Sequence, residues 1–316
     1  MSEYIIPVID IGPLINGNAD GEKEVARRIG EACRTIGFFY IVGHGVDPTV
    51  IDSIFETMME FFQQPLDFKR KSGFVSNRGY VPIGGEALDP NRPGDLKEAF
   101  NIGLELEIDD PETRKPFLAT NVWPDIPGFK NLMLDYYDRM RHIGMTLHRA
   151  FSLDLGVDPS YFSNQFREPM AILRLLHYPP TEHQPLNDGQ MGAGVHTDYG
   201  NVTILKTDSV GGLMVQTRDG TWLDAPVIAD AFVCNIGDCL MRWTNDIYVS
   251  TPHKVFSPKN RDRYSIAFFF DADPEAIVSC LPSCSGSHRP VKYPPVTASD
   301  YLQSRLSPTY AHQKVT

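Results

Sequence analysis

The sequence has few cysteines, no long apolar run and no surplus of positive charge. Five cysteines lie scattered at Cys33, Cys234, Cys239, Cys280 and Cys284. An odd, dispersed set gives no disulfide framework and reads as the reduced thiols of a cytoplasmic protein. Cys280 and Cys284 could form half a metal site, but no second cysteine pair accompanies them. No apolar run approaches the length of a membrane span, so no membrane partner is expected. Met1-Ser2-Glu3-Tyr4 has neither a basic nor an apolar leader region, so no secretory signal is expected. Lys and Arg total 29 against 40 Asp and Glu, giving a net charge of −11 and a pI near 5.3. That balance disfavours a nucleic-acid partner, which needs a basic face. Internal repeats and low-complexity segments are missing too. A monomer is the expectation, with the oligomeric state left open.

What is there is an ordinary globular composition, 42% hydrophobic over 316 residues. Val25, Ile29, Cys33 and Ile36 recur at helical spacing and predict an amphipathic helix over residues 21–36. Phe38 to Val42 reads as a buried strand closed by Gly43. Asp47-Pro48 supplies an N-cap and a proline at N1 for a helix striped by Val50, Ile54, Met58 and Phe61. A short helix over Leu66 to Lys71 follows Pro65. Residues 72–125 read as a long excursion over the mouth of the core, with strand pieces at 79–81 and 99–102. A long helix over 128–155 is stopped by Gly156. From Met170 onward, short apolar segments alternate with turn signals: 170–178, 193–196, 202–207, 212–216, 221–224, 231–235, 239–243, 253–256 and 264–271. Many short strands at close spacing mean a sandwich or barrel. A last helix spans Ala298 to Leu306. The expected organisation is one domain over 1–316. It comprises a mostly helical part at 1–168, a strand-rich core at 169–272 and a tail at 273–316.

The chemistry lies in one ordered pattern. His196-Thr197-Asp198 is followed far downstream by His253, and then by Arg263-Tyr264-Ser265. Two imidazoles and a carboxylate are the protein ligands of a non-haem Fe(II) site that keeps positions open for substrates. In a strand, residues i and i+2 point to one face. His196 and Asp198 then aim at one metal, with Thr197 turned away, and the third ligand comes from another strand. Arg263 and Ser265 repeat that spacing. A guanidinium fork grips a carboxylate with two parallel hydrogen bonds, and a hydroxyl adds a third. A lone HxD arises often by chance; the ordered set is far more specific. It points to an oxygenase that consumes 2-oxoglutarate and O2.

At these residues the chain resembles the isopenicillin-N-synthase-like branch of the 2-oxoglutarate/Fe(II)-dependent dioxygenases. The resemblance runs nearly end to end, from Pro7-Val8-Ile9-Asp10 through Gly37-Phe38-Phe39-Tyr40-Ile41-Val42-Gly43-His44-Gly45. It continues through Leu173-Arg174-Leu175-Leu176-His177-Tyr178-Pro179-Pro180 and the metal set to Arg263-Tyr264-Ser265. It implies a mainly β fold with flanking α-helices around a double-stranded β-helix, or jelly-roll, core. It also implies hydroxylation or desaturation of a small organic substrate, with release of succinate and CO2. Fe(II) would sit on His196, Asp198 and His253, and 2-oxoglutarate would reach Arg263 and Ser265 with Tyr178 in support. Many plant members carry Asn where this chain has Leu176, which implies one contact to 2-oxoglutarate fewer.

Two alternatives stay open. Isopenicillin N synthase itself, and the plant enzyme that oxidises aminocyclopropane carboxylate, keep the iron without 2-oxoglutarate. There the RxS pair binds a substrate carboxylate. A catalytically inert jelly roll acting as a binding module is the other reading, and the intact metal set argues against it.

Other residues divide by strand parity. Tyr178 shares a face with Ile172, Arg174 and Leu176, and Phe269 with Arg263 and Ser265. Arg174 is expected in a supporting charge pair, and Phe269 either stacks on substrate or fills the core. His44 reads as a satisfied structural histidine, His177 as pointing away from the site, and Asn245 as a turn cap. Substrate selection is expected from Arg78, Tyr80 and Phe100 in the excursion, from Phe269, and from the 298–310 tail.

Overall fold

Apolar spacing sets the helices, and proline and glycine mark where some of them begin or end. The computed structural model describes residues 6–86, 94–182 and 190–309. Met1–Tyr4 and residue 310 of the expected tail lie outside them. The chain begins with strand β1 (Val8–Asp10) and a single turn, α1 (Gly12–Ile15). Helix α2 (Ala19–Thr35) buries Val25, Ala26, Ile29, Ala32 and Cys33 along one stripe. Strand β2 (Phe38–Val42) leads to α3 (Pro48–Phe62), where the Asp47 carboxylate accepts from the Thr49 N–H at 2.9 Å. After α4 (Leu66–Lys71) come β3 (Gly79–Val81) and β4 (Glu98–Gly103). The long helix α5 (Phe129–Leu155) stops at Gly156, whose φ of 65° is the left-handed conformation glycine adopts at little cost. Gly144 lets α5 lie close on the sheet, because a Cβ there would come within 2.5 Å of the Phe270 ring.

The strand-rich part follows as expected. It contains β5 (Ile172–Tyr178), β6 (Ala193–His196), β7 (Val202–Thr207), β8 (Leu213–Gln216), β9 (Trp222–Asp224) and β10 (Phe232–Ile236). After helix α6 (Asp238–Trp243) come β11 (His253–Val255), β12 (Arg263–Phe270), the short pair β13 (Ile277–Val278) and β14 (Val296–Thr297), and helix α7 (Ala298–Thr309). An eight-stranded sheet runs β1-β2-β10-β7-β12-β5-β4-β3 and a four-stranded sheet runs β6-β11-β8-β9. This is the jelly-roll arrangement.

Alternation divides the large sheet into two faces. Tyr264, Ile266, Phe268 and Phe270 of β12 join a core cluster with α2, α3 and α5. Ala267 and Phe269 turn the other way and pack in a second cluster with Leu213 and Val215 of the small sheet. The space between the sheets holds the site.

Two expectations change. Residues 239–243 form α6 rather than a strand. The Gly237, Asp238 and Cys239 N–H groups bond to the carbonyls of Asn201, Asp198 and Gly200, and Thr244 N–H closes back on Leu240. A short buried apolar run carries no period that separates helix from strand. The 72–125 excursion is also not simply a cover. Its strands β3 and β4 extend the large sheet beyond β5, so the first 168 residues supply β1 to β4 of that sheet.

Candidate active site

Strands β6 and β11 lie antiparallel in the small sheet, with His253 opposite His196. Their rings are 4.2 Å apart, centroid to centroid. His196 Nδ1 faces the Gly194 carbonyl at 2.7 Å, and His253 Nδ1 faces the Thr251 carbonyl at 3.1 Å. A carbonyl only accepts, so each Nδ1 carries the proton and each Nε2 lone pair is left inward. Asp198 Oδ1 lies 3.8 Å from His196 Nε2 and 3.7 Å from His253 Nε2. Asp198 Oδ2 accepts from Thr203 Oγ1 at 2.5 Å and from Asn235 Nδ2 at 2.7 Å. The carboxylate is thus held by one oxygen and turned to the imidazoles by the other.

Ligand atoms of His196, Asp198 and His253 all fall within 4.8 Å of one another, the only such His/Cys/Asp/Glu group among the described residues. Burial, and then the neighbouring His253, push the His196 imidazole down to about 3. Burial works to raise the Asp198 carboxyl. The imidazoles of His253 and His196 and the Asn235 and Thr203 donors outweigh it and hold the group below the usual carboxylate range. A neutral imidazole and an ionised carboxylate are the forms that ligate a divalent cation. Strand β6 ends at His196, so Thr197 and Asp198 lie just beyond it, and Thr197 lines the cavity instead of turning away. The Thr197 hydroxyl donates to Asp238 Oδ2 at 3.1 Å.

Across the cavity, β12 and β5 pair Arg263 with Tyr178 and Ser265 with Leu176. Arg263 is 1% exposed and sits over the Tyr178 ring, 4.6 Å from its centroid. Its Nε donates to the Gly211 carbonyl at 2.5 Å and its Nη1 to Ser265 Oγ at 3.4 Å. Nη2 is buried without a hydrogen-bond partner among the described residues. A guanidinium fork buried with one nitrogen open suits a carboxylate, which would satisfy it.

A cavity of about 170 Å³ joins the two groups. Its wall follows the parity along β5 and β12: Ile172, Arg174, Leu176 and Tyr178 line it, as do Ser265 and Phe269. Arg174 forms the expected charge pair, with Glu86. From α7, Leu302 and Leu306 close one side. Arg305 of the same helix donates to Asp238 Oδ2 at 2.5 Å and covers the Tyr199 ring. His44 is satisfied by the Asp230 carbonyl and the Val46 N–H. His177 turns to the other face, between Glu98 and Asp262. Asn245 ties its turn to Cys284, Pro290 and Lys292.

The excursion residues are placed differently from expectation. Arg78, Tyr80 and Phe100 do not line the cavity. Tyr80 and Phe100 pack with Phe61 on the helical face, and the Tyr80 hydroxyl donates to Glu98 at 2.5 Å. Arg78 is fully buried and donates to the Asn77 and Phe117 carbonyls. All six residues of β4 are buried, so its sequence carries no alternation to show which face meets the site. The cavity is reached instead by Asn77, Glu86, Lys97, Asn101 and Phe117. Asp271 was missed as well. It lines the cavity, and burial pushes its carboxyl up to about 7 although the Asn201 N–H bonds to it. Asn235 and Thr203 carry no motif; only their contact with Asp198 marks them.

Comparison with known proteins gives a consistent picture. A family model described as "non-haem dioxygenase in morphine synthesis N-terminal" matches residues 6–126, and the 2OG-Fe(II) oxygenase superfamily model matches residues 169–272. A 2-oxoglutarate-Fe(II) type oxidoreductase of Emericella nidulans is 32% identical over 96% of this chain and 90% of its own length. Homoarginine-6-hydroxylase of Oryza sativa is 32% identical over 95% of this chain and 96% of its own. The crystal structure of a full-length Neurospora crassa protein in complex with alpha-KG and thymine matches with a TM-score of 0.86 and 33% identity, covering 97% of each chain.

Proposed function

Because the chain belongs to the 2OG-Fe(II) oxygenase superfamily, oxidoreductases that work with Fe(II), 2-oxoglutarate and O2, we propose that His196, Asp198 and His253 hold the iron and that Arg263, Ser265 and Tyr178 hold 2-oxoglutarate. The observation that carries this reading is the convergence of His196 Nε2, His253 Nε2 and Asp198 Oδ1, each with its second heteroatom already engaged. The unpartnered Nη2 of Arg263 supports the cosubstrate half. Bound there, iron with 2-oxoglutarate and O2 supplies the chemistry that yields succinate and CO2 and oxidises the organic substrate. The chain's own residues bind, orient and exclude. Arg263 and Ser265 fix one carboxylate end, Tyr178 covers the guanidinium, and Leu302, Leu306 and Phe269 keep an apolar wall around the reacting region.

The substrate is a small organic molecule in this reading. The Neurospora crassa relative crystallises with thymine, and the rice relative is a homoarginine hydroxylase by name. Five free cysteines support a reducing, cytoplasmic setting, and the core cluster that runs from Ile9 to Ala298 supports one functional unit over the chain. We keep the monomer as the reading. The reading is tested by screening metabolites for stimulation of 2-oxoglutarate turnover in Fe(II)-loaded protein. Stimulation by none, together with no succinate formed, would restore the binding-module alternative.

Two expected results bear on the supporting residues. Asn235→Ala removes a charge-assisted donor from Asp198. Iron affinity should fall roughly tenfold to a hundredfold, the usual loss for such partners. A competition titration against a chelator reads this, and wild-type affinity would show that Asn235 does not support the ligand. Arg305→Ala and Leu302→Ala loosen α7 over the cavity while leaving both proposed binding groups in place. The share of succinate formed without oxidised product should rise, because the substrate is less firmly positioned. Wild-type coupling in both variants would remove α7 from the account of specificity.

A further inference from the structure

The two ends of the cavity differ in charge. At the Arg263 end the guanidinium meets a carbonyl, a hydroxyl and an aromatic ring, so its charge remains for an anionic ligand. At the other end the charges of the described residues oppose one another. Lys97 sits 2.5 Å from Asp95 and 3.9 Å from Glu86, and Glu86 also bonds to Arg174. A substrate carrying net charge would be buried there against a balanced set.

Beside these charges lies a pair of amides. Asn101 on β4 is 1% exposed, and its Nδ2 donates to Asn77 Oδ1 at 2.9 Å. Its Oδ1 is buried with no hydrogen-bond partner among the described residues. Asn77 stands at the tip of the turn closed by the paired Val75 and Arg78 hydrogen bonds. There Ser76 and Asn77 have φ of 49° and 62°, a conformation that asparagine tolerates well. Both asparagines line the cavity. The bond between them uses one donor and one acceptor, leaving an acceptor on one side chain and a donor on the other. Exchanging the oxygen and nitrogen of both amides leaves the same complement, so this does not depend on how they are oriented.

From this pair and the balanced charges, and resting on the oxygenase reading above, we infer that the organic substrate is an uncharged small molecule with a hydrogen-bond donor and acceptor side by side, as in a lactam, imide or carboxamide. Such an edge satisfies both open amide functions at once. A carboxylate would face the open amide oxygen with no proton to give, and an ammonium would offer nothing to the free N–H.

The test uses anaerobic holoenzyme loaded with Fe(II) and 2-oxoglutarate, with ligand affinity measured by calorimetry and no turnover. The probes are uracil, 2-piperidone and nicotinamide, against the fully N-methylated 1,3-dimethyluracil, 1-methyl-2-piperidone and N,N-dimethylnicotinamide. Orotate and nicotinate serve as charged counterparts. At least one amide should bind saturably, with its N-methylated and carboxylate counterparts roughly tenfold or more weaker, the scale of an unmet buried hydrogen bond. Asn101→Ala, and Asn77→Gly, which keeps the turn, should each weaken that amide by a similar factor. Binding by none of the three amides, equal binding of the blocked or charged forms, or undiminished affinity in both variants would overturn the inference. Failure to bind 2-oxoglutarate in the loading step would instead overturn the parent reading, and this one with it.

Discussion

His196→Ala, Asp198→Ala and His253→Ala are each expected to lose iron and abolish turnover. Each removes one of the three converging ligand atoms, and two ligands hold Fe(II) poorly. The loss should exceed the roughly tenfold to hundredfold seen when only an outer hydrogen-bond partner of a ligand is removed. Asp198→Ala should be the most damaging for the folded state too, because the donors of Thr203 and Asn235 lose their shared acceptor in a buried place. Thr197→Ala provides the contrast. Among the described residues its hydroxyl bonds only to Asp238, so iron should stay and activity should change far less. Iron content measured on purified, reconstituted variants decides this. Wild-type content in all three ligand variants would remove the site from these residues.

Arg263→Ala is expected to raise the 2-oxoglutarate requirement steeply. The guanidinium is buried, and its hydrogen bonds to Gly211 and Ser265 bring no carboxylate to answer its charge. Truncating one partner of a buried, charge-assisted contact costs about 2–5 kcal/mol, so KM should rise by roughly thirtyfold to several thousandfold. Arg263→Lys should recover only part, since an ammonium lacks the planar fork and cannot replace both the Gly211 contact and the open Nη2. Leu176, paired with Ser265 across β5 and β12, lines the cavity here and offers a carboxylate no hydrogen bond. An unchanged KM for 2-oxoglutarate in Arg263→Ala would favour an oxidase whose own substrate fills this end.

What the sequence made legible followed from regularity. Strands β5 and β12 are long, paired along their length, and keep strict alternation, so Arg174, Tyr178, Arg263, Ser265 and Phe269 could be assigned to one face beforehand. The metal set was legible because three ligand types stood in the right order. The way Asp198 reaches the metal position was not, since it lies past the end of β6 and is aimed by Thr203 and Asn235, which are distant in sequence or carry no motif. Phe100 and Asn101 could not be told apart in role because both faces of β4 are buried. Asn77 reaches the cavity through a left-handed turn conformation that strand parity does not describe. The helix α6 escaped for a different reason: its first N–H groups are taken up by the Asp198–Asn201 carbonyls, a tertiary contact with no local signal.

The most direct test of the account is O2 uptake and succinate formation by the Fe(II)-loaded protein, measured together with and without 2-oxoglutarate. If the Arg263–Ser265 end seats a cosubstrate that the reaction consumes, both signals should require 2-oxoglutarate and should appear in equal molar amounts. O2 uptake that continues at full rate when 2-oxoglutarate is left out, with no succinate formed, would contradict it.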